Sequence, residues 1–190
     1  ESLSLKSFVH FDADVLIYKP FDELNGLFDI NRFNITPLNE NELIFGYSYT
    51  NNINTYKKIV KSIYDFVTNK EFDGEGVNEM KILNSVFNMD KDLFNLLPVV
   101  PEIKNILFDP ASYGQYIGGT DGNPRKIFSK PWAGSHHYVG REILNGKLKV
   151  RFKNNLPYVM KNNNRYDIAN LHIHSKRLEK YLPTQYKDYL

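Results

Sequence analysis

The chain contains no cysteine. Disulfides, thiolate nucleophiles and thiolate metal sites are therefore excluded, and a reducing, cytoplasmic setting fits. No apolar run approaches the roughly 20 residues that a membrane-spanning helix needs. The N-terminus also lacks the basic, apolar and small-residue sections of a signal peptide. Neither sign of charge dominates: 24 basic side chains face 22 acidic ones, a formal charge of +2. That balance excludes a strongly polybasic nucleic-acid binder, so no nucleic acid is expected as a partner. Neither phosphate-binding signature, G-x-x-x-x-G-K-[ST] or G-x-G-x-x-G, is present. No internal repeat is visible, and the one tryptophan, Trp132 in "KPWAG", reads as a core anchor.

The 190 residues are 42% hydrophobic and 14% aromatic, enough to bury a sizeable core in a single domain over 1–190. Residues 7–18 of "SFVHFDADVLIYKPF" read as a buried strand broken at two aspartates, and Pro20 predicts a turn before a short helix at 21–28. "ELIFGYSYTN", 42–51, alternates as a second strand. Ile53, Tyr56, Ile59, Val60, Ile63, Phe66 and Val67 recur at helical spacing with lysines opposite, which predicts an amphipathic helix. A shorter helix at 76–88 follows, with Asn78 as its N-cap. "NLLPVVPEI" reads as an extended edge or crossing strand. Pro110 predicts a helix start, ending by Gly118 and Gly119. Residues 125–142 read as a loop, "KLKVRFKNNLPYVMKNN" as a hairpin turning at Asn154-Asn155, and "IANLHIHSKRLEKYL" as a strand leading into a basic helix. The asparagine content reads as compositional bias. The element order predicts an α/β or α+β layered domain with a mixed sheet flanked by helices.

Three places in this order carry chemistry. In a strand, Asp12 and Asp14 share one face, as residues i and i+2. Two carboxylates side by side repel, so a buried pair needs a shared proton or a cation between them. Oxygen ligands suit Mg²⁺ or Mn²⁺, which can clamp a diphosphate and act on its leaving group. A turn or cap role at a strand end accounts for the same two residues equally well. His172 and His174 likewise share a strand face, with Leu171 and Ile173 toward the core. An imidazole makes a third ligand, and Ser175 and Lys176 offer a hydroxyl and an ammonium to phosphate oxygens. A solvated pair of histidines explains the pattern as simply. His10 shares the face of Asp12. His136 and His137, being adjacent, read as loop residues. In "FDPASYGQYIGG" the glycines permit close approach of a ligand, while Asp109 and Gln115 could read sugar hydroxyls. Glu79 sits in the first turn of a helix, where the macrodipole favours a carboxylate anyway.

Together, "FVHFDADVLIYKPF", "GYSYTNNINTYKKIV", "NEMKIL", "ILFDPASYGQYIGG" and "NLHIHSKRL" resemble, in that order, bacterial and viral glycosyltransferase-like proteins of the GT-A fold. The resemblance is to those of surface polysaccharide synthesis and covers most of residues 8–180. It implies a nucleotide-sugar donor, transfer of the sugar to the hydroxyl of a carbohydrate or glycan acceptor, and Mn²⁺ or Mg²⁺ on Asp12 and Asp14. His174 or His172 would complete the metal site. It also implies phosphate contacts at Ser175 and Lys176, donor or acceptor contacts at Asp12, Gln115, Gly118 and Gly119, and catalytic parts for Glu79 and Asp109. At Glu79 the family commonly has Asp-Met, so the carboxylate is kept with one more methylene. GT-A domains carry a nucleotide-binding region before the D-x-D, whereas eleven residues precede Asp12. The expectation is an N-terminally truncated GT-A domain whose nucleotide half is missing, reduced or supplied by a partner chain. Two other readings use the same residues: a metal-dependent hydrolase of nucleotide sugars, and a non-catalytic carbohydrate-binding fragment.

Overall fold

A computed structural model of the chain describes residues 6–69, 78–102, 104–115, 117, 136–173 and 181–182. Trp132, Gly118, Gly119, His174, Ser175, Lys176 and the basic helix expected after them lie outside the described residues.

The described fold is mixed α/β. Phe8–Phe11 (β1), Phe33–Asn39 (β3), Glu42–Thr50 (β4) and Phe94–Leu96 (β5) form a sheet in the order β1-β4-β3-β5. The first three run antiparallel to their neighbours, and β5 lies parallel to β3. Two helices, Ile53–Thr68 (α2) and Glu79–Met89 (α3), pack Ile59, Leu83 and Val86 against Phe33, Ile35 and Leu43 of this sheet. Both helices start at asparagines. Asn52 accepts the N–H groups of Asn54 and Thr55, and Asn78 accepts that of Lys81, satisfying donors that a first helical turn leaves open. Of the apolar stripe predicted for α2, Ile59 is buried in this core and Tyr56 and Ile63 pack against it, whereas Val60 and Val67 are exposed.

Strand β3 is not among the elements expected from the sequence, and it contains Pro37, a residue that central strands disfavour. The proline is tolerated where the β3–β4 register shifts, between Pro37 and Asn39. A larger shift lies between Ile35, opposite Ser48, and Thr36, opposite Ile44. The residues between Ile44 and Ser48 therefore bulge, and Thr36 Oγ1 donates to Tyr47 O within the bulge at 2.8 Å.

A second sheet has the order β6-β9-β8-β7, from Ile106–Leu107 (β6), Asn164–Ile168 (β9), Leu156–Lys161 (β8) and Arg151–Lys153 (β7). The expected hairpin is a three-strand meander, because asparagines make two turns and not one. Asn154 and Asn155, then Asn162 and Asn163, all have positive φ between 50° and 63°. Asparagine tolerates that left-handed region better than other non-glycine residues, so here the asparagines determine topology. A short helix, Gly140–Leu144 (α4), occupies part of the segment expected to be a loop. The helix expected to start at Pro110 does not start there. Ala111 has φ 58°, which breaks helical geometry, and residues 112–114 turn their N–H groups onto Asp109.

The two sheets are linked through a two-stranded ribbon of Val15–Ile17 (β2) and Asn170–His172 (β10). Leu16, Leu171 and Ile173 of this ribbon enter the core that also contains Leu107, Val159 and Ile168. The short helix Phe21–Leu24 (α1) follows β2, in the expected place.

Candidate metal centre

The strand carrying the aspartates does not continue through them. Strand β1 pairs with β4, whereas β2 pairs with β10, so the chain changes partner at Asp12-Ala13-Asp14. A tight turn makes the change, with Val15 N donating to Asp12 O at 3.1 Å. The carboxylates therefore converge through a turn and not through the i, i+2 geometry of a strand face.

The ladder between β2 and β10 then decides what they meet. Val15 pairs with His172, and Ile173 N donates to Asp14 O at 2.9 Å. That register puts His172 Nε2 2.9 Å from Asp14 Oδ1 and 3.9 Å from Asp12 Oδ2. One ligand atom from each of the three residues falls within 4.8 Å of the others. Each aspartate side chain is 39% exposed and the imidazole 6%, so a buried nitrogen faces two carboxylates open to solvent. Two anionic oxygens and one imidazole nitrogen fit a hard or borderline divalent cation, and three protein ligands leave positions open for another molecule. The same contacts also suit a protonated imidazole held between two carboxylates.

Behind the cluster lies Asp109, fully buried. Its Oδ1 accepts the N–H groups of Ser112 and Tyr113 at 2.7 and 2.8 Å, and its Oδ2 accepts those of Gly114 and His172 at 2.7 and 2.9 Å. Burial pushes this carboxyl up from its usual range, and the four backbone donors oppose that shift. Its described contacts are thus with backbone, and they tie the 109–114 turn to the peptide that carries the His172 side chain. Asn170 Oδ1 accepts Asp109 N–H at 3.2 Å, adding a second tie between the turn and β10.

Two glycines let these parts approach. A Cβ on Gly46, in the β4 bulge, would stand 3.1 Å from His172 Nδ1. A Cβ on Gly114 would stand 2.7 Å from His172 O and 2.8 Å from Asp109 Oδ2. No protein-family model, curated protein or solved structure matches the chain. The chemistry of the centre therefore rests on its own residues.

The remaining expected site residues divide by place. Glu79 is exposed at the start of α3. Gln115 is half-buried, and its Oε1 is a buried acceptor without a hydrogen-bond partner among the described residues. His10 stands over Phe45, with Nδ1 3.3 Å from Phe45 O, and is not in the metal-ligating group. His137 is more than a loop residue: it is buried, with Nδ1 2.9 Å from Ser112 Oγ. The approach of Gly46 to His172 and the contacts of Ser112 with Asp109 and His137 are not expected from the sequence. Only Gly46 left a signal, since a glycine inside a strand marks a bulge or a close approach.

Two cavities lie in the described fold, neither of them lined by Asp12, Asp14 or His172. One of about 590 Å³ is lined by Phe11 and Ile17, on either side of the aspartate turn, together with Tyr18, Phe21 and Tyr47. Another of about 680 Å³ has Asn39, Glu40, Asn41, Glu42 and Lys81 among its lining residues, and it reaches His137.

Proposed function

We propose that the chain is a metal-dependent glycosyltransferase of GT-A type, moving a sugar from a nucleotide-sugar donor to an acceptor hydroxyl. The observation that supports it best is the convergence of Asp12, Asp14 and His172 within 4.8 Å. The ordered resemblance of the surrounding segments adds the reaction class. Asp12 and Asp14 would hold Mn²⁺ or Mg²⁺ with His172, and His174 is a further candidate ligand. A divalent cation bound there supplies Lewis acidity toward a departing diphosphate.

The chain's own groups then have distinct parts. The carboxylates of Asp12 and Asp14 provide fixed negative charge at the mouth of the site. Asp109 is a positioning residue, holding the His172 backbone so that the imidazole meets the aspartates. Lys176 and Ser175 would contact the phosphates, and Gly118 and Gly119 would allow the donor to approach the backbone. Gln115 would offer its side-chain oxygen to a sugar hydroxyl, and Glu79 would take the proton of the attacking acceptor hydroxyl. The bond from the anomeric carbon to the diphosphate oxygen breaks as the bond to the acceptor oxygen forms. The amide and carboxylate lining of the 680 Å³ cavity is chemistry suited to saccharide hydroxyls.

The test is a thermal-shift screen of nucleotide sugars with and without Mn²⁺, followed by product analysis with and without saccharide acceptors. Stabilisation that needs both donor and metal, with an acceptor-linked product, supports the reading. Release of free sugar alone would replace it with a nucleotide-sugar hydrolase. Saccharide binding indifferent to EDTA would replace it with a non-catalytic carbohydrate-binding domain.

A further inference from the structure

The outward face of the meander β7-β8-β9 has no part in the metal centre. Registers place its residues in rows: Lys153 opposite Leu156, Arg151 opposite Tyr158 and Tyr158 opposite Asp167, and Met160 opposite Arg165. The alternate residues Pro157, Val159, Tyr166 and Ile168 are buried, so these rows are the solvent side. Arg165 lies over the Tyr158 ring, 4.3 Å from its centroid, confirming that the two share a face.

The segment leading into β7 extends the pattern. Leu148 is buried and Val150 packs on the same core, while Lys147, Lys149, Arg151 and Lys153 are all exposed. Phe152 keeps 40% of its surface exposed. The neighbouring carboxylates are engaged elsewhere. Glu102 and Glu142 are on Lys161, and Asp167 is on Lys19 and Arg165. Among the described residues, none of these four cations has a carboxylate within ion-pair distance. In a chain of near-balanced charge, one face thus concentrates unneutralised cations around half-exposed Leu156, Tyr158 and Met160.

We propose that this face docks on an anionic phospholipid bilayer. The argument is charge complementarity combined with the apolar row between the cations. Long cationic side chains reach phosphate headgroups, while an aromatic ring and aliphatic side chains among them insert at headgroup depth. Nucleic acid also carries phosphates, but it offers no apolar layer to Leu156 and Met160. The proposal goes beyond the transferase reading and does not depend on it.

The experiment is sedimentation of the full chain with phosphatidylcholine vesicles, with and without about one-third phosphatidylglycerol. The wild type is expected to bind the anionic vesicles, to release as salt rises, and to ignore the neutral ones. The neutral set K149Q/R151Q/K153Q is expected to lower that binding by roughly 100-fold, at about fivefold per cation lost near the surface. Its far-UV spectrum and melting temperature show whether it is folded, and R151Q alone, expected to lose about fivefold, serves if the triple set is not. The control K57E/K58E, on the exposed side of α2, changes net charge elsewhere and is expected to leave binding intact. Equal binding to both vesicle types, no binding, or equal loss in the α2 control overturns the proposal. So does binding to a single-stranded oligonucleotide that depends on the same cations while vesicles are ignored.

Discussion

Asp14 Oδ1 and His172 Nε2 stand 2.9 Å apart because Val15 and His172 are register partners in a two-stranded ribbon. The pairing brings a residue next to the start of one strand against a residue at the end of another. Asp12, one turn residue away, adds the second carboxylate at 3.9 Å. The centre is thus a product of strand register, and its weak points are the groups that hold β10 in place.

Replacing Asp14 with Asn removes one anionic oxygen while keeping the side chain's size. Mn²⁺ at a hundredfold excess over its Kd stabilises the wild type by about 2.7 kcal/mol by mass action, and most of that is expected to vanish in the variant. His172→Ala is expected to do the same, and His136→Ala to leave the metal response unchanged. Differential scanning fluorimetry with Mn²⁺ and with EDTA measures all three. An Asp14→Asn protein that still responds fully to the metal would remove this carboxylate from the centre.

Gly46→Ala tests the close approach behind the imidazole. Its Cβ would meet His172 Nδ1 at 3.1 Å, so the ring must move by a few tenths of an ångström. The expected outcome is weaker Mn²⁺ binding at a small cost in stability, about 1 kcal/mol. Gly26→Ala is the control, since nothing lies within 4 Å of its would-be Cβ. Isothermal titration of the two variants should separate them clearly; matching Mn²⁺ affinities would mean that the imidazole has room to spare.

At Gly114 the obstacle is backbone. A methyl there would press on His172 O and on the carboxylate of Asp109 at under 3 Å. Gly114→Ala is expected to cost at least about 2 kcal/mol in urea unfolding. Asp109→Asn keeps the shape but turns one acceptor into a donor facing N–H groups. Its expected cost is about 2 kcal/mol, with loss of Mn²⁺ binding in the fraction that remains folded. Retained metal affinity in a folded Asp109→Asn protein would show that His172 does not rely on this clamp.

Asp167 gives a pH signature independent of the metal. Burial acts to raise its carboxyl, but Arg165 and Lys19 together hold it below the ordinary carboxylate value. The folded state therefore binds its proton less readily than the unfolded chain. The stability this contributes is present above the unfolded value, near pH 4, and is lost as pH falls through the depressed one. Asp167→Asn should accordingly melt below the wild type at pH 7, with the gap closing toward about pH 3. A gap of constant size across that range would assign the effect to packing.

Legibility from sequence followed the range of the interactions. The α2 stripe and the caps at Asn52 and Asn78 depend on residues within one helical turn, and periodicity revealed the stripe and the Asn78 cap. Strand β4 was visible from its alternation. Strand β3 was hidden because Pro37 sits at an irregularity that only the β4 partner creates. In the sequence the turn after Asp109 reads as a helix because Pro110 is a good first helical residue. The buried carboxylate of Asp109 competes for the same N–H groups and takes them.

The candidate centre divides in the same way. Two aspartates one residue apart and a late histidine pair are visible as ligand types, yet each also suits a plain turn or a solvated strand. That His172 meets the aspartates depends on the β2–β10 register, and that register depends on Leu16, Leu171 and Ile173 entering one core. Sequence alone determined the helical stripe, the α3 cap and the supply of metal-ligating side chains, because those follow from chemistry within a few residues. Only the tertiary structure decided that Asp12, Asp14 and His172 meet, because pairing between distant strands is set by the whole core that both must fill.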